Sequence, residues 1–187
     1  GGSVSALSGA LSAALSSMVA NLTFGKKGYE NVNDEMEEIS TKAQELKGTL
    51  LKIIDEDTMA FNKVMSAMAL PKKTEEEKKI RKEAIERANQ EATRVPLKVM
   101  EISLELVDLA KRVAEKGNKN ALSDAGCALL QARSSCQGAY FNVMINLQGI
   151  ENEDFKAEVS KKAKEILEKV LRETEAEIQK IHEKLTV

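Results

Sequence analysis

Between Leu46 and Pro71 the apolar positions recur at helical spacing: Leu46, Leu50, Ile53, Asp57, Phe61, Val64 and Met68 fall on one stripe. Six of these seven residues are apolar and the seventh is a carboxylate. An ionised carboxylate enclosed without a partner is costly, so Asp57 requires a partner, a wet cavity or a chemical use. Two readings stand side by side: an aspartate at the edge of the stripe, facing water or paired with a lysine, or an acid working inside an enclosed site.

The same periodicity organises the rest of the chain. Ser3 to about Leu22 reads as a helix of Ala, Gly and Ser without a charged face, which must be enclosed by other helices or by a second subunit. A turn from Phe24 to Tyr29 carries Lys26 and Lys27 between two glycines, a pair suited to an anion such as a carboxylate tail and equally to an ordinary solvated turn. Asn33, Asp34 and Glu35 open a helix that reaches Leu70 before Pro71, either as one span or as two separated near Gly48. Thr74 and Glu77 have capping-box spacing and open a strongly charged helix, which Pro96 is expected to kink or interrupt and Gly117 to cap.

Asn118, Asn120, Ser123 and Asp124 cluster at the next turn, where Asn120 is expected to cap the following helix and Asp124 to complement its dipole. That helix, to about Leu147, carries a stripe of small and polar residues, Asp124, Ala128, Gln131, Ser135, Gly138, Asn142 and Asn146, with Arg133 its single charge after Asp124. Its amides need partners, so polar interhelical packing and ligand lining both fit. A last helix, Asn152 to Leu185, places Phe155, Val159, Ala163, Ile166, Val170, Ile178, Ile181 and Leu185 on a core-facing strip. No strand alternation and no long repeat appears. The chain is predicted to be all-α, one domain over 1–187 of about five or six long helices packed as a bundle.

Composition supports this and narrows the chemistry. A chain of 187 residues can enclose one core, and with 3% aromatics and no Trp that core must be built from Leu, Ile, Val, Ala and Met. The net charge of −2, with both signs interspersed, leaves no footprint for nucleic acid or a membrane surface. The uncharged opening run contains six serines between Ser3 and Ser17 and makes a poor membrane span. Cys127 and Cys136 fall about 13 Å apart on opposite faces of one helix, cannot bridge each other, and read as two buried or semi-buried thiols of a reduced, cytoplasmic protein. His182 is the single histidine and reads as a surface residue, so multi-histidine zinc sites are unattainable within one chain. A phosphate loop, a dinucleotide fingerprint and a CxxC pair are also missing. If the chain is an enzyme, its acid, base and electrostatic groups come mainly from Asp, Glu, Lys and Asn, with Tyr or Cys as further candidates and Asp57 and Asp124 foremost.

Five segments in order, GGSVSALSGALSAALSSMVANLT, GKKGY, IDEDTMAFNKVMSAMALP, NKNALSDAG and AYFNVMINL, resemble the formiminotetrahydrofolate cyclodeaminase and methenyltetrahydrofolate cyclohydrolase family over nearly the whole chain. The resemblance implies an all-helical cyclodeaminase domain that forms a homodimer, binds a tetrahydrofolate derivative and needs neither metal nor prosthetic group. Its members close 5-formiminotetrahydrofolate to the 5,10-methenyl form with loss of ammonia, or interconvert the methenyl and 10-formyl forms with water. Family sequences carry a short helix before the glycine run in which this chain begins, so either the sequence is trimmed of an N-terminal helix or part of the site is absent from it.

Read onto that chemistry, a carboxylate stabilises the amidinium-like charge and relays a proton, with Asp57 first and Asp124 second for the role. Asn62, Asn118, Asn120 and Asn142 are expected to hold the pterin edge, Phe61 and Met65 to pack on flat rings, and Lys26 or Lys27 to meet the glutamate tail, of one residue or several. A non-catalytic folate binder, or a helical interaction module whose polar stripe pairs with a partner helix, is the alternative.

Overall fold

A computed structural model describes residues 1–186, and the chain is a bundle of five α-helices with no strand among those residues. The helices are α1 (Gly2–Thr23), α2 (Asn33–Met68), α3 (Glu75–Lys116), α4 (Leu122–Leu147) and α5 (Glu153–Leu185), with short 3-10 turns ahead of α2 and α4. α1 packs on α2, α4 and α3, and α5 covers the side of α4 and α3. The core is aliphatic, with Met36, Ile39, Leu50, Ile53, Met100, Leu106 and Leu129 fully enclosed.

Local signals set most of the boundaries. α2 runs unbroken through Gly48, since a single glycine costs only about 1 kcal/mol in a helix this well anchored. At α3 the capping box closes in both directions: Thr74 Oγ1 accepts from the Glu77 N–H at 3.1 Å and the Glu77 carboxylate accepts from the Thr74 N–H at 3.0 Å. Asn152 Oδ1 accepts from the Phe155 N–H at 2.9 Å and starts α5. Gly117 ends α3 in extended backbone, and a Cβ there would overlap the Val113 carbonyl.

Three expectations change. Pro96 does not interrupt α3, which continues as one helix of 42 residues with the proline buried inside it. A proline at position 96 cannot donate to the carbonyl of Ala92, and that carbonyl instead accepts from Asn146 Nδ2 of α4 at 3.0 Å. Asn120 does not cap α4; it is exposed, and Asn118 Oδ1 caps the preceding turn by accepting from the Asn120 N–H at 3.1 Å. Leu185 is exposed at the end of α5, where it borders a cleft with Ala114 and Leu122 instead of packing into the core.

The cysteines also divide. Cys136 is buried, and burial pushes its thiol up to about 12, whereas Cys127 is exposed because its face of α4 is left uncovered. One thiol is therefore expected to react with a colorimetric thiol reagent at pH 8 in the native protein and the second only after denaturation. Two fast-reacting thiols in the native state would contradict this packing.

Close approach of α1 to its neighbours depends on small residues. A Cβ at Gly9 would lie 2.9 Å from Ser135 Oγ, 3.0 Å from Leu50 Cδ1 and 3.3 Å from Leu106 Cδ1. Gly9→Val is expected to lower stability by about 1–3 kcal/mol through overpacking, measured by urea unfolding. The opposite face of α1 has no such cover: Val4, Leu7, Leu11, Met18 and Leu22 are exposed along its whole length.

Candidate functional site

Three helices meet where α1 begins. The first N–H groups of a helix lack intrahelical partners and attract an anion, and Asp57 of α2 lies there. Its Oδ2 accepts from the Ser3 N–H at 2.8 Å and from the Ser3 hydroxyl at 2.7 Å. No donor reaches Oδ1 among the described residues. A Cβ on Gly2 would overlap Oδ1, and a Cβ on Gly1 would come within 2.7 Å of the Asn142 side chain. The opening Gly-Gly-Ser is thus a fitted surface, two residues without side chains against Asp57 and Asn142 and one with two donors. No lysine or arginine pairs with Asp57 among the described residues, so its partners are Ser3 and a cavity rather than a cation.

That cavity, of about 510 Å³, falls within the usual size range of small-molecule sites. The α2 stripe passes from core to cavity along its length. Leu46, Leu50 and Ile53 are enclosed, and from Asp57 onward the same face, Phe61, Val64 and Met68, becomes one wall. Phe61, 62% exposed, offers a ring face to a flat ligand. α4 supplies the opposite wall with Asn142, Ile145 and Asn146, and α3 closes one side with Asn89 and Ala92. Among the described residues no Lys, Arg or His lines the cavity, and Asp57 is the one charged side chain there, in the same lining as the Gly1 amino group.

The polar stripe of α4 serves both purposes that its pattern allowed. In its middle it packs: Ser135 Oγ donates to the Ser5 carbonyl at 2.8 Å, and a Cβ on Gly138 would stand 2.5 Å from Ser5 Oγ. At its end it lines the cavity. Asn142 Nδ2 donates to the Gly138 carbonyl at 2.8 Å. Asn146 Nδ2 donates to the Ala92 carbonyl, and Asn89 Nδ2 to the Gly149 carbonyl at 2.8 Å.

Of the residues singled out from sequence, Asp57, Phe61 and Asn142 come together in this cavity. Asn62 and Met65 are exposed on α2 and lie outside its lining. Lys26, Lys27, Asn118, Asn120 and Asp124 belong to the far end of α1. The Asn118 N–H donates to Thr23 Oγ1 at 2.8 Å, and Asn118 Nδ2 to the Leu22 carbonyl at 3.2 Å. A helix of 22 residues separates that end from Gly2, roughly 33 Å. Asn118 lines a second cavity there, about 470 Å³, with Tyr29, Lys116, Lys119 and Lys184. Lys26 and Lys27 stand exposed in a turn whose glycines, Gly25 and Gly28, both take positive φ.

Sequence reasoning missed Gly2, Ser3 and Asn89 as parts of the site, and placed Asn146 on the polar stripe without a role. Neutral Asn89 amid a charged stretch of α3 was the available signal. Among the described residues no three His, Cys, Asp or Glu side chains gather in a way that could hold a metal ion.

Comparison with known proteins gives concordant matches. The profile of the formiminotransferase-cyclodeaminase family matches residues 1–165. The methenyltetrahydrofolate cyclohydrolase of Methylorubrum extorquens is 43% identical over 183 residues, covering 98% of this chain and 86% of that protein. The formimidoyltransferase-cyclodeaminase of Rattus norvegicus is 33% identical over 168 residues, 90% of this chain but 31% of the rat protein. The crystal structure of formiminotetrahydrofolate cyclodeaminase from Thermotoga maritima superposes with a TM-score of 0.79 at 35% identity, covering 97% of this chain and 85% of that one.

Proposed function

The chain belongs to the formiminotransferase-cyclodeaminase family, and from that premise we propose that it is a folate one-carbon enzyme whose reaction centre is the Asp57 cavity. The observation that carries this reading is a carboxylate with one oxygen held by Ser3 and the other without a donor, in a cavity with no cationic side chain among the described residues. 5,10-Methenyltetrahydrofolate carries an amidinium-like positive charge between N5 and N10, and a fixed carboxylate in a partly desolvated site stabilises it.

In the hydrolytic direction water adds to the bridging carbon and its proton passes to Asp57 Oδ1. The carbon–N5 bond then breaks as that proton is delivered to N5, the remaining hydroxyl proton leaves to solvent as the formyl carbonyl forms, and 10-formyltetrahydrofolate is left. In the deaminating reaction N10 attacks the carbon of the protonated formimino group, the same oxygen moves the N10 proton to the departing NH2, and ammonia leaves with its bonding pair to give the methenyl cation. Both routes share the charged state that Asp57 faces. We put the water reaction first because the Methylorubrum cyclohydrolase matches over nearly the whole of both chains. The ammonia reaction is the second reading, favoured by the likeness to the Thermotoga cyclodeaminase.

Absorbance of methenyltetrahydrofolate at neutral pH tests the first and release of ammonia from formiminotetrahydrofolate the second. Enzyme-dependent loss of the methenyl absorbance above the buffer rate is expected, and no acceleration with either substrate would overturn the reading.

The finer part of the proposal concerns the assembly. The exposed stripe of α1, Val4, Leu7, Leu11, Met18 and Leu22, is uncharged and self-complementary when two copies pack antiparallel about a two-fold axis. Such packing sets one copy's Lys26 and Lys27 beside the partner's Asp57 cavity, whose lining has no lysine or arginine among the described residues to meet a glutamate tail. The homodimer is thereby what reunites the two ends of the site. Light scattering should give twice the chain mass, and Leu11→Glu should give a monomer with impaired turnover; a monomeric native protein at full activity would exclude this arrangement.

A further inference from the structure

We propose that the Ser3 hydroxyl is a positioning group for the reaction at Asp57, fixing which of the two carboxylate oxygens faces the substrate. The proposal rests on the folate reading above and adds to it a residue that acts through Asp57 rather than on the ligand.

Ser3 stands half-buried in the first turn of α1 and is absent from the cavity lining to which Asp57 belongs. Several hydroxyls inside the helices, those of Thr23, Thr93 and Ser103 among them, turn back to the carbonyl four residues earlier in their own helix. The Ser3 hydroxyl instead crosses to α2, 54 positions along the chain. It donates to Asp57 Oδ2 at 2.7 Å, a length within the range of a hydroxyl bonded to an ionised carboxylate. The Ser3 N–H donates to that same oxygen at 2.8 Å. Both donors of one residue therefore converge on Oδ2.

That convergence matters because nothing intrinsic distinguishes the two oxygens. The torsion that turns an aspartate's carboxylate is broad and roughly two-fold, so the packing of its Cβ does not decide which oxygen points where. A single hydrogen bond lets the group swing about its donor. Two donors hold Oδ2 against α1 and direct Oδ1 to the place that Gly2, having no side chain, leaves open. Without the hydroxyl the backbone N–H still ties α1 to α2, but the carboxylate regains its rotation. Binding and chemistry then part. The negative charge is shared by both oxygens, so attraction to the methenyl cation survives rotation. Proton transfer requires one oxygen within hydrogen-bond reach of the reacting atoms, so it does not.

Steady-state kinetics of Ser3 variants with methenyltetrahydrofolate read this split. Ser3→Ala should lower kcat on the order of tenfold to a hundredfold while KM changes by less than about threefold. Ser3→Thr restores a hydroxyl on the same carbon and should recover most of the native kcat. Ser3→Cys keeps the shape with only a weak donor and should resemble the alanine variant, so the test does not depend on one substitution folding. Thermal unfolding by circular dichroism shows which variants are folded. A native kcat in Ser3→Ala, a loss confined to KM, or a folded threonine variant as slow as the alanine one would overturn the positioning role and leave the folate reading intact. A native protein inactive on both methenyltetrahydrofolate and formiminotetrahydrofolate would instead remove the reading on which the role rests.

Discussion

Replacing Asp57 with Asn is expected to lower turnover by roughly two to four orders of magnitude and to leave the fold in place. The asymmetry of the carboxylate's surroundings is the reason. Oδ2 receives both Ser3 donors, and the amide oxygen of an asparagine can take its place and accept both bonds, so the tie between α2 and the start of α1 survives. The amide nitrogen then occupies the position of Oδ1. It carries no charge to oppose the amidinium and no lone pair to receive a proton, so the group that faces the substrate is lost while the group that faces the helix is kept. Steady-state kinetics with methenyltetrahydrofolate, alongside a melting curve within a few degrees of native, would show the separation. A variant with an essentially native rate would remove Asp57 from the mechanism and return it to a capping role.

That asymmetry was half legible in the sequence. A carboxylate on an otherwise apolar stripe announced an anomaly, and the stripe's period fixed its face. What the period cannot reveal is where the stripe leaves the core. Leu46, Leu50 and Ile53 are enclosed while Phe61 and Met68 are exposed, and the change depends on which helices extend past Ile53. Helix ends were read well where local chemistry decides them, at Thr74 and Asn152, and poorly where a distant partner does. Pro96 is the clearest case. Its cost falls on the Ala92 carbonyl, and the compensation is an asparagine fifty-four positions later on another helix.

The grouping of the site failed for a different reason, one of length rather than pattern. Lys26 and Lys27 precede α2 by one short 3-10 turn, and Asp57 lies 24 residues beyond Asn33, about 36 Å along a straight helix. The lysine turn and Asp57 therefore had to lie at opposite ends of the bundle in one chain. Rise per residue alone separates the two, so Lys26, Lys27 and Asp57 of one chain do not share a cavity.

Gly2→Ala tests position where Asp57→Asn tests charge, and it is expected to cost turnover about a hundredfold, the scale on which displacement of a catalytic group by an ångström is felt. The new methyl would overlap Asp57 Oδ1, the oxygen left free for chemistry. Either the carboxylate turns away, breaking its bonds to Ser3, or the start of α1 withdraws and opens the wall of the cavity. Charge, composition and helix propensity are all preserved or improved, since alanine is the better helix former by about 1 kcal/mol, so a loss of rate cannot be ascribed to a weaker helix. Gly48→Ala supplies the matched control on α2, because a Cβ there meets nothing within 4 Å. If Gly2→Ala and Gly48→Ala were both as active as the native protein while Asp57→Asn was inactive, the carboxylate would be needed but its place against Gly2 would not. If Gly2→Ala alone fell, the glycine would be established as part of the reaction centre through the oxygen it leaves room for.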